Sequence, residues 1–307
     1  MTVDSTKEFD VTMSVLDHIS DGVYIVNTNR KIIYWNKAAE KITGYKARET
    51  VGIHCWENIV MHMDGKGNSL CKEYCPSSRT IAEGQIYKFD TYIKHKSGHR
   101  IPVTVQTIPV RNYDGDINRC IHVFSQTIYD MGYAKRMKQL DKMALLDPLT
   151  GLATMQYFEA NLNDRFNELS RYNWPFGLAC IGIDNIIKIS KKYGSYARDE
   201  IIKLLARTII YNTRPFDTCT RWGKEGFILM LVNVDEEQLS EVLERLRILT
   251  AQSYITFITE TISTTISIGS VIAQKDCTTD ALIKHAEELM YHSRAHGGNR
   301  ISKNLFS

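Results

Sequence analysis

The stretch Thr220-Arg221-Trp222-Gly223-Lys224-Glu225-Gly226-Phe227-Ile228-Leu229-Met230 reads as strand, tight turn, strand. Cys219 to Trp222 is short and tolerates apolar surroundings, and Phe227 to Val232 is a continuous apolar run. Gly223 and Gly226 bracket two charged residues, which is hairpin chemistry. A carboxylate at such a tip, here Glu225, reaches a ligand or a metal. A glycine beside it lets a ligand approach the backbone closely. An ordinary solvated β-turn has the same pattern.

Apolar periodicity extends outward from this hairpin. Tyr157, Phe158, Leu162, Phe166 and Leu169 predict a helix from Met155, and Phe176 to Ile183 reads as a buried strand. A helical stretch to about Tyr193 precedes a second helix, Asp199 to Ile210. Beyond the hairpin, Glu236 to Ala251 carries Leu239, Val242, Leu243, Leu246 and Leu249 on one side of a helix. Thr261 to Ile272 reads as one strand, and Thr279 to Ala295 as a helix closed by Gly297-Gly298. Helices alternating with strands imply an α/β sandwich.

Asp147-Pro148-Leu149-Thr150-Gly151-Leu152 lies upstream of the hairpin and Thr265-Ile266-Ser267-Ile268-Gly269 downstream. With it they resemble the GGDEF family, the diguanylate cyclase domains of bacterial signalling, across residues 147–307. The family hairpin reads Arg-Tyr-Gly-Gly-Asp/Glu-Glu-Phe, and here it is Arg221-Trp222-Gly223-Lys224-Glu225-Gly226-Phe227. The resemblance implies a nucleotidyl-cyclase-like fold that joins two GTP molecules into cyclic di-GMP. Such phosphoryl transfer uses divalent metal to neutralise the triphosphate and activate the attacking hydroxyl.

The departures from the family pattern decide the functional expectation. After the first strand the chain reads Ile181-Gly182-Ile183-Asp184-Asn185. Gly182 stands where the family has its metal-binding Asp, and only Asp184 remains. Glu225 matches the hairpin carboxylate, but Lys224 and Gly226 replace its Gly and Glu neighbours. Of the guanine-reading pair, Ser190 replaces Asn while Asp199 matches. Arg294 matches the phosphate-contacting Lys of the last helix, keeping the charge and changing its shape. Glycine offers no ligand atom, so a hard cation loses an oxygen donor. The expectation is a degenerate, catalytically silent domain that works by binding nucleotide or a partner protein. The alternative is a divergent active cyclase, with magnesium as its cofactor and Asp184 swinging toward Glu225.

Arg214-Pro215-Phe216-Asp217 resembles the family's inhibitory Arg-x-x-Asp site for cyclic di-GMP. Arg makes bidentate contacts to guanine or phosphate, and Asp accepts from guanine N–H groups. Surface charges opening a strand would look the same.

The first half has a different pattern. Val11, Val15, Leu16 and Ile19 have helical spacing after a polar tail, residues 1–10. Val23 to Val26 and Ile32 to Trp35 pair as strands, and Asn36 caps a helix through Thr43 that Gly44 ends. Further strands are expected at Tyr87 to His95, Arg100 to Val110 and Ile117 to Ser125. With Asp21-Gly22-Val23, Tyr34-Trp35-Asn36-Lys37-Ala38-Ala39-Glu40 and Gly44-Tyr45, residues 11–126 resemble a PAS sensor domain, an antiparallel-sheet fold. Cys55, His62, Cys71 and Cys75, with His54 as a spare, fall between the two strand groups. Three thiolates and an imidazole suit tetrahedral zinc, and cysteine-rich sets hold iron–sulfur clusters. Packed or redox-active thiols suit the same residues.

Residues 127–146 read as a linker helix. Tyr133, Met137, Leu140 and Ala144 form a short heptad seam. It resembles the signalling helix that joins PAS to GGDEF domains, and a homodimer is the expectation. At 307 residues, 43% hydrophobic and 24% charged, the chain can build two cores. Net charge of +3 without a basic stripe gives no sign of a nucleic-acid partner. The chain has no run of about 18 apolar residues, so no membrane span is expected. Seven scattered cysteines point to a reducing cytoplasm.

Overall fold

A computed structural model describes residues 14–57, 59–71, 75–126, 140 and 145–303. The chain divides into two compact units, Met1–Ile128 and Tyr129–Ser307. Apart from Leu140, the heptad seam lies outside the described residues.

The first unit is a five-stranded antiparallel sheet in the order β2-β1-β5-β4-β3. Its strands are β1 (Gly22–Asn27), β2 (Ile32–Trp35), β3 (Tyr87–Lys94), β4 (Arg100–Arg111) and β5 (Ile117–Gln126). Helix α1 (Lys37–Thr43) starts where the Asn36 side chain accepts the Ala39 N–H at 2.8 Å. The same oxygen takes the Val23 N–H at 2.8 Å, so one cap locks the helix to β1. Helices α2 (Ala47–Thr50) and α3 (Pro76–Glu83) follow. Tyr24, Val26, Trp35, Ile93, Val103 and Phe124 build the core.

The second unit is a five-stranded sheet, β12-β11-β6-β8-β7, between two helical layers. Its strands are β6 (Phe176–Ile183), β7 (Thr218–Trp222), β8 (Gly226–Val232), β11 (Ile266–Ile272) and β12 (Ile301–Lys303). Among its described strand pairs β11–β12 is parallel, and β11–β6, β6–β8 and β7–β8 are antiparallel. Every residue of β6 is buried, as a central strand covered on both faces requires. Alternation sends Ala179, Ile181 and Ile183 to one face, against α5 (Ile186–Asn212) and α6 (Glu236–Ala251). Leu178 and Cys180 go to the other, against α4 (Met155–Tyr172) and α7 (Thr279–Ala295).

One expectation needs correction. The expected single strand from Thr261 to Ile272 is two strands. β10 (Glu260–Ser263) pairs with β9 (Tyr254–Phe257) as a separate hairpin, and β11 alone joins the main sheet. The two successive helices form as expected, the first ending at Tyr193 before non-helical Gly194 (φ 85° and ψ 176°) and the second starting a few residues earlier than Asp199; they are labelled together as α5. Among the described residues no helix is long and apolar enough to cross a membrane.

Candidate functional site

The hairpin forms as expected, with Trp222 opposite Gly226 and Gly223 in the left-handed region at φ 59°. The Asp147–Leu152 phrase docks against it. Asp147 Oδ1 accepts from the Thr150 amide at 2.9 Å and hydroxyl at 2.7 Å, closing a turn. Its Oδ2 faces Arg221 Nη1 at 3.4 Å, and Ala153 bridges to Thr220. Two motifs some 70 residues apart in the chain thereby become one surface.

Gly182 on β6 pairs with Gly226 on β8, which opens the sheet to a cavity of about 240 Å³. Its walls include Trp222, Lys224, Glu225, Glu287 and Arg294. The last two come from α7, whose Glu287, Met290, Tyr291 and Arg294 repeat at helical spacing and line the same wall. Glu287 accepts from the Trp222 indole N–H at 2.9 Å, tying the helix to the hairpin. Glu287 was not anticipated from the sequence, though its spacing from Arg294 was the available signal.

Arg294 holds the space in question. A Cβ built at Gly182 would stand 2.5 Å from Arg294 Nη2 and 2.7 Å from Met290 Sδ. The guanidinium also donates to the Ile183 carbonyl at 3.0 Å. At the position where the resemblance implies a metal-binding carboxylate, the chain places a fixed positive charge. The oxygen donor that the resemblance implies at Gly182 is absent, while Glu225 and Glu287 remain as carboxylates in the cavity wall.

Asp184 lies elsewhere. Its Oδ2 accepts from Thr265 Oγ1 at 2.7 Å and the Asn299 amide at 2.9 Å, and its Oδ1 from Ser267 Oγ at 2.7 Å. A Cβ at Gly298 would come within 2.9 Å of that carboxylate, and Gly298 sits at φ 69°, so both space and backbone call for glycine. A swing of Asp184 toward Glu225 would strand three donors. Asp199, on α5, is held by its neighbour Arg198, whose Nε and Nη2 donate to Oδ1 at 3.0 and 2.8 Å. Arg214 is exposed, but Asp217 is buried and works inside the fold. Its Oδ2 accepts from the Arg214 amide at 2.7 Å and its Oδ1 from the Val232 amide at 3.2 Å.

In the first unit Cys55, Cys71 and Cys75 are buried, and Arg30 connects them. Its carbonyl accepts the Cys55 N–H at 3.1 Å, and its Nη1 donates to the Cys71 carbonyl at 3.2 Å. Burial, then the nearby Cys75 and Cys71, pushes the Cys55 thiol up to about 12. Burial and Cys75 raise Cys71 to about 11. Cys75, the N-cap residue of α3, is also raised by burial, but the Ser78 amide and hydroxyl and Arg30 outweigh this and bring it below the ordinary thiol value. The Ser78 amide faces the sulfur without closing a cap hydrogen bond. His62 is buried, with its ring 6.1 Å from Phe89 and 6.2 Å from His122. Burial, helped by the Arg100 charge, lowers it to about 4. Among the described residues no group of three His, Cys, Asp or Glu side chains is placed to hold a metal ion. Cys55, His62, Cys71 and Cys75 therefore do not stand as a preformed tetrahedral zinc or iron–sulfur set.

The fold and this hairpin define a PAS-type unit followed by a GGDEF-type unit. Residues 20–125 match the PAS domain family, and residues 144–300 match the family described as diguanylate cyclase, GGDEF domain. The chain belongs to the GGDEF family. It is 29% identical over 163 residues to the response regulator PleD of Caulobacter vibrioides, covering 52% of this chain and 36% of that protein. It is 26% identical over 275 residues to the diguanylate cyclase DgcM of Escherichia coli, covering 88% of this chain and 62% of that protein. The chain thus spans about a third of the length of PleD. The diguanylate cyclase SiaD of Pseudomonas aeruginosa, solved with its activator SiaC, has a TM-score of 0.52 at 24% identity, over 56% of this chain and 68% of that one. The coiled coil and GGDEF domain of DgcB from Caulobacter crescentus, solved with c-di-GMP, has a TM-score of 0.51 at 20% identity, over 56% and 91%. These two structures share the fold.

Proposed function

We propose that this PAS–GGDEF signalling protein has exchanged cyclase turnover for ligand binding in its second unit. The observation that carries the reading is Arg294 filling the space beside Gly182. Two-metal phosphoryl transfer needs carboxylates to hold its ions. Here the first carboxylate is absent and a guanidinium takes its place. The engagement of Asp184 by Thr265, Ser267 and Asn299 argues against its acting as a substitute. Lys224 and Arg294 offer the cavity positive charge suited to nucleotide phosphates, so GTP is the first ligand to try. Cyclic di-GMP at the Arg214 turn would meet a guanidinium but not a free carboxylate, since Asp217 caps its own turn. A partner protein reading the same surface, and a homodimer through the connector, belong to this proposal.

The test is incubation of the full chain with GTP and magnesium or manganese, with products separated by chromatography. Binding of GTP without cyclic di-GMP or its linear intermediate is the expected result. Steady production of either compound by pure protein overturns the reading.

A further inference from the structure

The last turn of α7 carries His292, and His296 follows one turn on as the residue that caps the helix. Neither lines the cavity beside the hairpin. Side chains four apart on a helix share one face. Here the two imidazole rings lie with centroids 4.0 Å apart and planes tilted by 34°. His292 is half-buried and His296 is exposed, so dissolved ions reach the pair.

Hydrogen-bond partners decide which nitrogen of each neutral ring carries the proton. His296 Nδ1 lies 2.9 Å from the His292 carbonyl, which only accepts, so Nδ1 is the protonated nitrogen there. For His292 the assignment runs through two hydroxyls. Ser293 is buried and gives its one proton to the Ile268 carbonyl on β11 at 2.7 Å. The 2.8 Å contact between Ser293 and Ser302 of β12 then takes its proton from Ser302. Ser302 has no second proton for His292 Nδ1, 3.0 Å away, so that nitrogen is the donor. Both rings are thereby left with the lone pair on Nε2, and neither Nε2 has a partner among the described residues. Histidines that ligate metals do so with one nitrogen while the other donates to a fixed acceptor, as both do here.

We propose that His292 and His296 together bind a divalent transition-metal ion through their Nε2 atoms, at a site separate from the hairpin cavity. Two histidines at this helical spacing are a known way to bring two imidazoles to one ion. Imidazole suits zinc, nickel and copper, whereas magnesium and calcium take oxygen ligands. Two protein ligands are fewer than a closed structural site uses, so water or an added ligand completes the shell. That agrees with the lack, among the described residues, of any three-residue ligand group. Arg300 Nη1 donates to the His296 carbonyl at 3.1 Å, and its charge favours an anion in the open positions. The ion braces the last turn of α7, the turn that also carries Arg294.

Zinc chloride is titrated by calorimetry into metal-free full-length protein that carries no affinity tag, near neutral pH. The expected result is a binding event that His292→Ala or His296→Ala weakens at least tenfold. Cys71→Ser should leave it unchanged, which separates it from binding by thiols. Magnesium should give no heat that depends on either histidine. Unfolding midpoints of the metal-free variants establish that they fold. Histidine nitrogen chemical shifts of the metal-free protein should show both rings protonated on Nδ1 once neutral. Equal zinc binding in both histidine variants, no zinc binding at all, or protonation on Nε2 in either neutral ring would each overturn the proposal.

Discussion

Arg294 Nη2 lies 3.0 Å from the Ile183 carbonyl, and the group it belongs to fills the volume that any side chain on Gly182 would need. Replacing Gly182 with Asp, to restore a family carboxylate, should displace the free ends of Arg294 and Met290, a shift flexible side chains make cheaply, so the second unit should lose at most about 1 kcal/mol. Adding Arg294→Ala should recover part of that loss, the Met290 contact accounting for the rest. Urea unfolding of the two single variants and the double variant measures the coupling. Additive effects would mean that the two positions do not compete for one space.

Asp184 should act as a structural anchor. Asp184→Ala leaves the hydroxyls of Thr265 and Ser267 and the Asn299 amide without their acceptor. The expected cost is about 2–3 kcal/mol of stability, as for charge-assisted hydrogen bonds in a buried setting. Nucleotide affinity of the folded variant should change little. A large loss of affinity with unchanged unfolding would reverse the assignment.

The first unit should weaken in acid. Burial lowers His62 to about 4 and His122 well below its ordinary value, with His62 adding to the second effect. The unfolded chain protonates both near pH 6.5. Below that pH the unfolded state holds more protons than the folded one, so stability falls as pH drops from about 6.5 toward 4. The slope should approach about 1.4 kcal/mol per pH unit for each histidine. Chemical denaturation followed through the first unit's own signals checks this. His122→Gln should flatten the curve, and a pH-independent midpoint across the window would contradict the cause given.

Gly194 interrupts α5 with a backbone that other residues rarely adopt, although a Cβ there meets nothing within 4 Å. Gly194→Ala should cost about 1–3 kcal/mol from strain alone. Thermal unfolding of the variant measures it. A neutral or stabilising result would mean that the helix straightens at no cost.

The architecture was readable wherever local chemistry and tertiary fate agree. Asn36 and Gly44 bounded α1 because capping is a local device. Gly223 and Gly226 marked the hairpin for the same reason. The β9–β10 hairpin was not readable, because its turn uses Ile258 at φ 57° rather than a glycine or asparagine. The site was readable only in part. The absence of a carboxylate at Gly182 is plain in the sequence and the resemblance already brings Arg294 to the site, but the approach of its guanidinium to Gly182 across 112 positions is a fact of packing. Asp217 taught the converse. Its motif was visible, but the turn and strand amides that occupy its carboxylate were not.

The Trp222–Glu287 hydrogen bond gives the cavity a built-in optical probe. Of the chain's four tryptophans, Trp222 is the one on this wall. A ligand that draws Glu287 or Lys224 toward itself must alter the polarity around that indole. With the other three replaced by phenylalanine, emission from a single fluorophore would follow occupancy directly, with no label attached.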